Sequence, residues 1–141
     1  MESIFEYYNP NPTFNAAKHR HRRWNRGDCS VRAVCKALNI NWHDAYRMLC
    51  DAGESMGEMP DTKLAVDIVL RNNGFKVVKL PRPQRGECRP RVGELADITY
   101  DSDDVIVCNC RGHIVCVRDG TVWDTWNSSD SAVFTYWILE Q

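Results

Sequence analysis

Residues 105–126 read VIVCNCRGHIVCVRDGTVWDTW, and the pattern of this stretch decides the fold of the C-terminal half. Two runs rich in valine, isoleucine and cysteine, Val105–Cys110 and His113–Arg118, indicate neighbouring strands. Between the second run and residues 121–126 stands Asp119-Gly120, a two-residue signal for a hairpin turn. The stretch therefore predicts three antiparallel strands in chain order.

The N-terminal half has the apolar period of helices. Asp28 is a suitable N-cap, and apolar residues at i, i+3, i+4 and i+7 predict a helix over Cys29–Leu38. Asn41 predicts the start of a second helix. The other predicted elements are a third helix over 61–73, a short strand over 75–80, a helical turn over 92–96 and a last strand over Val133–Leu139. Helices followed by antiparallel strands predict an α+β fold, with N-terminal helices packed on a C-terminal antiparallel sheet.

Length and composition are those of one globular domain. The chain has 141 residues, of which 43% are hydrophobic and 26% are charged. Eighteen Lys and Arg side chains balance nineteen Asp and Glu, which excludes a uniformly basic nucleic-acid binder and an acidic disordered chain. No apolar run approaches the roughly 18 residues of a membrane helix. We expect a single domain over 1–141, with residues 1–26 as an irregular arm and no membrane partner.

The arm contains a basic stretch over residues 18–26, in which five of the eighteen basic side chains fall. A solvated arm is the simpler interpretation. Weak nucleic-acid contact, with Trp24 stacking on a base, is the alternative.

The seven cysteines exclude a complete disulfide framework within one chain, because their number is odd. The N-terminus has no secretory signal pattern, so we expect a cytoplasmic protein with reduced thiols. Five cysteines lie in apolar sequence and are predicted to fill the core: Cys35, Cys50, Cys108, Cys110 and Cys116. Cys88 lies in a polar loop. Cys29 differs from all of these because it opens a predicted helix.

Cys29, His113 and Asp124 are the candidate catalytic residues. A helix N-terminus stabilises a thiolate, which is the nucleophilic form of cysteine. With a two-residue turn, His113 and Asp124 share one face of the hairpin as diagonal neighbours, so the carboxylate can reach the imidazole. The spacing thus predicts a nucleophile, a general base and an orienting acid.

The sequence around these residues is also similar to that of a known protein superfamily. The segments GDCSVRA at 27–33, GHIV at 112–115 and DTW at 124–126 resemble the papain-like cysteine peptidase superfamily. The likeness is greatest to its small bacterial and phage branch, related to bacteriocin-processing peptidases. The resemblance implies a nucleophile helix packed on an antiparallel sheet. It also implies the roles of nucleophile for Cys29, base and acid for His113, and orienting acid for Asp124.

The resemblance further implies hydrolysis of a peptide or protein substrate through a thioester, without a cofactor. Where the family carries an upstream glutamine, this chain has Arg23, so Asn25 is the predicted oxyanion donor beside the Cys29 N–H. Trp126 is predicted to wall the substrate site, and plain core packing is its alternative role. Isopeptide cleavage, acyl transfer and self-cleavage remain open.

Two other interpretations fit the same sequence. Four zinc-type ligands fall within nine residues: Cys108, Cys110, His113 and Cys116. A regular strand opposes this zinc module, because it points Cys116 to the face opposite His113. The second alternative is a non-catalytic interaction protein on the same fold.

Overall fold

The computed structural model describes residues 4–12 and 27–141, which together form a mixed sheet with helices on both faces. In chain order the elements are β1 (Ile4–Tyr7), α1 (Cys29–Leu38), α2 (Trp42–Met56), α3 (Lys63–Asn72), β2 (Lys76–Lys79), α4 (Val92–Ile98), β3 (Val105–Cys110), β4 (His113–Arg118), β5 (Thr121–Asp124) and β6 (Val133–Leu139). The strand order is β1-β5-β4-β3-β6-β2. The predicted α+β class is confirmed.

The turn between β4 and β5 has the predicted length of two residues. Asp119 and Gly120 both have positive φ, 55° and 69°, as the hairpin turns that match strand twist require. Cys116 therefore lies opposite Trp123, and the register is the predicted one. Asp124 is the next residue along β5. The turn thus places the Asp124 side chain on the face of the hairpin that His113 occupies.

The two faces of the sheet are covered by different helices. Helices α1, α2 and α3 pack on one face, against residues of β3, β4 and β6 that include Val107, Cys116 and Trp137. Helix α4 packs on the other face, against Ile106 and Val117 among others. Strands β3 and β4 are apolar on both faces, which is the pattern of strands buried on both sides.

The prediction that residues 1–26 are irregular is wrong for Ile4–Tyr7, which form strand β1. It runs parallel to β5, with Ile4 opposite Thr121 and Tyr7 opposite Asp124, so the sheet is mixed and not purely antiparallel. Three of its four residues are exposed. Its sequence, IFEY, does not alternate apolar and polar residues, which is the pattern that marks a half-buried strand. The strand is held by backbone pairing to a segment more than one hundred residues away.

The structure also corrects two predictions about how the helices begin. Asp28 precedes α1 as predicted, but its side chain makes no capping hydrogen bond. The third helix starts at Lys63 and not at residue 61, because the Thr62 hydroxyl accepts the Ala65 N–H and caps it. The predicted cap at Asn41 is confirmed by a 2.8 Å hydrogen bond from the Asp44 N–H.

All seven cysteines lie in the described residues, and all are free thiols. Of the five that were predicted to fill the core, Cys50 is only half-buried and the other four are buried. Cys88 is exposed and Cys29 is half-buried. None of the helices in the described part of the chain is both long and apolar enough to cross a membrane.

Candidate active site

Cys29 is the first residue of α1, where the N–H groups of the first helical turn have no partner within the helix. Its thiol is hydrogen-bonded to the His113 side chain and to the Ile114 N–H. Burial acts to raise the pKa of Cys29. These two hydrogen bonds and the positive charges of His113 and Arg32 outweigh that effect and hold the pKa below the usual value of a cysteine thiol.

His113 is the first residue of β4 and contacts both other candidate catalytic residues. Its Nε2 lies 2.6 Å from Oδ2 of Asp124, which leaves Nδ1 of the ring for the thiol of Cys29. Burial acts to lower the pKa of His113. The hydrogen bonds to Asp124 and Cys29 outweigh it and raise the pKa to about 9. The raised pKa of His113 and the lowered pKa of Cys29 both shift the pair toward imidazolium and thiolate.

Asp124 is 2% exposed and accepts hydrogen bonds on both carboxylate oxygens. Oδ2 accepts from His113 and, at 2.6 Å, from the Ser128 hydroxyl. Oδ1 accepts from the Thr125 N–H at 2.8 Å and from Nη2 of Arg32 at 3.2 Å. Burial would raise the pKa of this carboxyl, but the bonds from His113, Ser128 and Thr125 lower it below the usual range. The carboxylate is therefore charged and fixed in orientation.

Arg32 joins this carboxylate to the start of the nucleophile helix. Its guanidinium is buried and donates to Asp124 on one side and to Asp28 on the other. Asp28 also accepts the Trp42 indole N–H at 3.0 Å, which explains why it does not cap α1. A buried guanidinium between two carboxylates satisfies both and presents its donors in a fixed planar fork.

The five ionisable groups of the site form a series of contacts with alternating charge. The series runs through Asp28, Arg32, Asp124, His113 and Cys29, with each group next to one of opposite sign once the thiolate and imidazolium form. Cys29 directly follows Asp28 in the sequence, so the series returns to its starting point. The Asp28 carboxylate would oppose a neighbouring thiolate, and the Arg32 charge offsets that repulsion.

Sequence reasoning missed Arg32, the role of Asp28, and Ser128. A signal for Arg32 was present, because it follows Asp28 at the i+4 spacing of a helical ion pair and lies in an otherwise apolar stretch of α1. Ser128 carried no such signal. It reaches Asp124 only through the bend of residues 125–128, which has no regular period.

Trp126 lies beyond the end of β5. The strand was predicted to reach residue 126, but it ends two residues earlier, at Asp124. Its ring centre is 4.8 Å from that of His113, the ring planes are tilted by 41°, and the residue is 47% exposed. Plain core packing is therefore wrong for Trp126, which instead partly covers the imidazole. The predicted oxyanion donor Asn25 lies outside the described residues, as does the basic stretch 18–26.

The structure does not bring the four residues of the predicted zinc module together. Cys108 and Cys110 pack in the core on the α4 side of the sheet, whereas Cys116 packs in the core on the α1 side. Among residues 4–12 and 27–141, no three His, Cys, Asp or Glu side chains are placed to hold a metal ion. The regular pairing of β3 and β4 keeps these thiols on opposite faces.

Two clefts meet at His113. The Cys29 cavity has a volume of about 430 Å³, and its lining includes Cys29, Asp61, Lys63 and His113. The Arg111 cavity has a volume of about 500 Å³, and its lining includes Arg111, His113, Trp126, Ser131 and Phe134. A substrate bound across both clefts would pass over the thiol and the imidazole.

In comparisons with known proteins, no family model, no curated protein and no solved structure matches this chain.

The buried Arg32 ion pairs predict a large loss of stability in Arg32→Gln. This change leaves Asp28 buried without a counter-charge and Asp124 with His113 alone, so we expect the free energy of unfolding to fall by about 3–5 kcal/mol. Urea denaturation followed by tryptophan fluorescence measures it.

Arg71→Gln is the matched control, because Arg71 also pairs with an aspartate at i−4 but is 60% exposed. We expect that variant to lose no more than about 0.5 kcal/mol. Equal losses in the two variants would contradict the role given to Arg32.

Proposed function

We propose that this protein is a cysteine peptidase or amide hydrolase, with Cys29 as nucleophile, His113 as general acid and base, and Asp124 as orienting acid. One observation carries the proposal. The thiol, the imidazole and the carboxylate form a continuous hydrogen-bonded series, with the thiol at a helix N-terminus. This is the geometry of an activated nucleophile, whose base is oriented by a third group.

In the acylation half of the proposed reaction, Sγ of Cys29 forms a bond to the carbonyl carbon of the substrate. The negative charge moves to the carbonyl oxygen. There the Cys29 N–H stabilises it, with Asn25 as the proposed second donor. The proton on His113 then passes to the amide nitrogen, the C–N bond breaks and the amine leaves. The product on the protein is a thioester at Cys29.

In the deacylation half, His113 is neutral and accepts a proton from water, whose oxygen attacks the thioester carbonyl. The C–S bond then breaks, the carboxylic acid leaves and Cys29 returns as a thiolate beside an imidazolium. Asp124 stays ionised throughout, since it accepts four hydrogen bonds. Its role is to hold the ring orientation and stabilise the imidazolium.

The proposal includes a papain-like fold and a cytoplasmic location. Support for the fold is the order of the parts: the nucleophile opens α1, and the base and acid follow on adjacent strands of the sheet onto which α1 packs. Support for the location is the set of seven free thiols, four of them buried, which suits a reducing compartment.

The test is labelling and cleavage with matched cysteine variants. A peptidyl vinyl sulfone pool incubated with the wild type at neutral pH is expected to modify Cys29 far faster than the exposed thiol of Cys88, as mapped by mass spectrometry. A pool of synthetic peptides is expected to be cleaved by the wild type. Cleavage by Cys29→Ala should fall on the order of 10⁴-fold.

Cys88→Ala is the control and should retain both labelling at Cys29 and cleavage, because Cys88 is exposed and lines neither the Cys29 cavity nor the Arg111 cavity. Circular dichroism and thermal unfolding establish that both variants fold. Cleavage by folded Cys29→Ala at the wild-type rate would refute the proposed function. Equal labelling of Cys29 and Cys88 would support a non-catalytic interaction protein instead.

A further inference from the structure

The position of the Arg111 cavity relative to Cys29 and His113 indicates which part of a substrate it would hold. His113 lines both cavities, whereas Cys29 lines only the Cys29 cavity. In amide cleavage the acyl group stays on the thiol, and the leaving nitrogen takes its proton from the imidazole. The segment that carries the leaving nitrogen therefore extends past His113, into the Arg111 cavity and under Trp126.

This cavity has positive charge on its wall and no acidic residue in its lining. Arg111 lines the cavity and lies 5.8 Å from the ring centre of Phe134; Arg89 lies 4.1 Å from the same ring centre, outside the lining. Within residues 4–12 and 27–141, neither arginine has an ion pair with a carboxylate. The Cys29 cavity differs, because its lining contains both Asp61 and Lys63.

The backbone segments that bear the two arginines are held by β-sheet contacts. Arg111 is in the two-residue turn between β3 and β4, so its backbone lies two residues from His113 at the mouth of the cavity. The segment that contains Arg89 is hydrogen-bonded to β6, because the Val133 N–H donates to the Pro90 carbonyl at 2.9 Å. Both guanidinium groups also lie within cation–π distance of one aromatic ring, which favours these positions.

We propose that the Arg111 cavity binds a carboxylate on the leaving segment of the substrate. This inference rests on the proposed function. A carboxylate is the planar, bidentate acceptor that a guanidinium fits, and an arginine without an ion pair over an aromatic ring keeps its donor edge free for one. Two sources supply this group: an acidic side chain directly after the scissile bond, or the C-terminal carboxylate of a substrate that ends at that residue.

Paired peptides test the proposal and separate the two sources. Starting from a peptide that the wild type cleaves, the first pair carries Glu or Gln directly after the scissile bond. The second pair ends at that residue with a free carboxylate or an amide. We expect the carboxylate member of one pair to have a kcat/KM about 3- to 5-fold higher, the size of a solvent-exposed ion pair. The pair that shows the difference identifies the source.

Arg111→Gln is expected to bring that ratio to about 1. Arg85→Gln is the control, because it removes the same charge from an exposed position that does not line the cavity, and it should keep the wild-type ratio. Ratios of about 1 for both pairs in the wild type would overturn the proposal while leaving the hydrolase intact. So would an equal effect of Arg85→Gln and Arg111→Gln.

A second measurement needs no substrate. Iodoacetate and iodoacetamide differ in one carboxylate, and the ratio of their alkylation rates at Cys29 reports attraction of that group to the site. We expect Arg111→Gln to lower the ratio about 3-fold and Arg85→Gln to leave it within experimental error. An unchanged ratio in Arg111→Gln would overturn the inference. Failure of the wild type to cleave any peptide would refute the proposed function, and the alkylation ratio would then still show whether the Arg111 cavity attracts a carboxylate.

Discussion

The ion pairs of Arg32 connect the two halves of the candidate active site. Its guanidinium lies between Asp28, at the start of α1, and Asp124, at the end of β5. Both carboxylates are buried, and a buried charge without a partner is strongly unfavourable. The helix that presents Cys29 and the strand that presents Asp124 are therefore held at one relative position. His113 then has a fixed place between thiol and carboxylate.

The sheet supplies the second constraint. The two-residue turn at Asp119 and Gly120 sets the register of β4 and β5, and this register puts Asp124 diagonal to His113. On its other edge β5 pairs with β1, and the Tyr8 N–H donates to the Asp124 carbonyl at 2.8 Å. The backbone of Asp124 is thus held by β1, one residue beyond the last pair that β5 makes with β4. Its carboxylate orientation depends on rigid elements and not on a free loop.

The sequence predicts those parts of the site whose geometry depends on residues close together in the chain. The β4–β5 hairpin has a turn type that two residues determine, so the approach of His113 to Asp124 follows from spacing alone. The helix at Cys29 likewise follows from apolar period. What joins them is non-local. The pairing of β1 with β5, the ion pair of Arg32 with Asp124 and the hydrogen bond of Trp42 to Asp28 all depend on contacts between distant segments. The hydrogen bond of Ser128 to Asp124 spans only four residues, but it forms across an irregular bend that has no periodic signal.

The contacts of the site predict that His113 and its partners lower the pKa of the Cys29 thiol. The most direct measurement is the rate of iodoacetamide alkylation at Cys29 as a function of pH, mapped by mass spectrometry in the wild type and in His113→Gln. The hydrogen-bonded site predicts a wild-type midpoint below that of an ordinary cysteine thiol. It predicts a higher midpoint in His113→Gln, where burial of the thiol is less opposed. A wild-type midpoint at or above the ordinary value, or one that His113→Gln does not move, would contradict the claim.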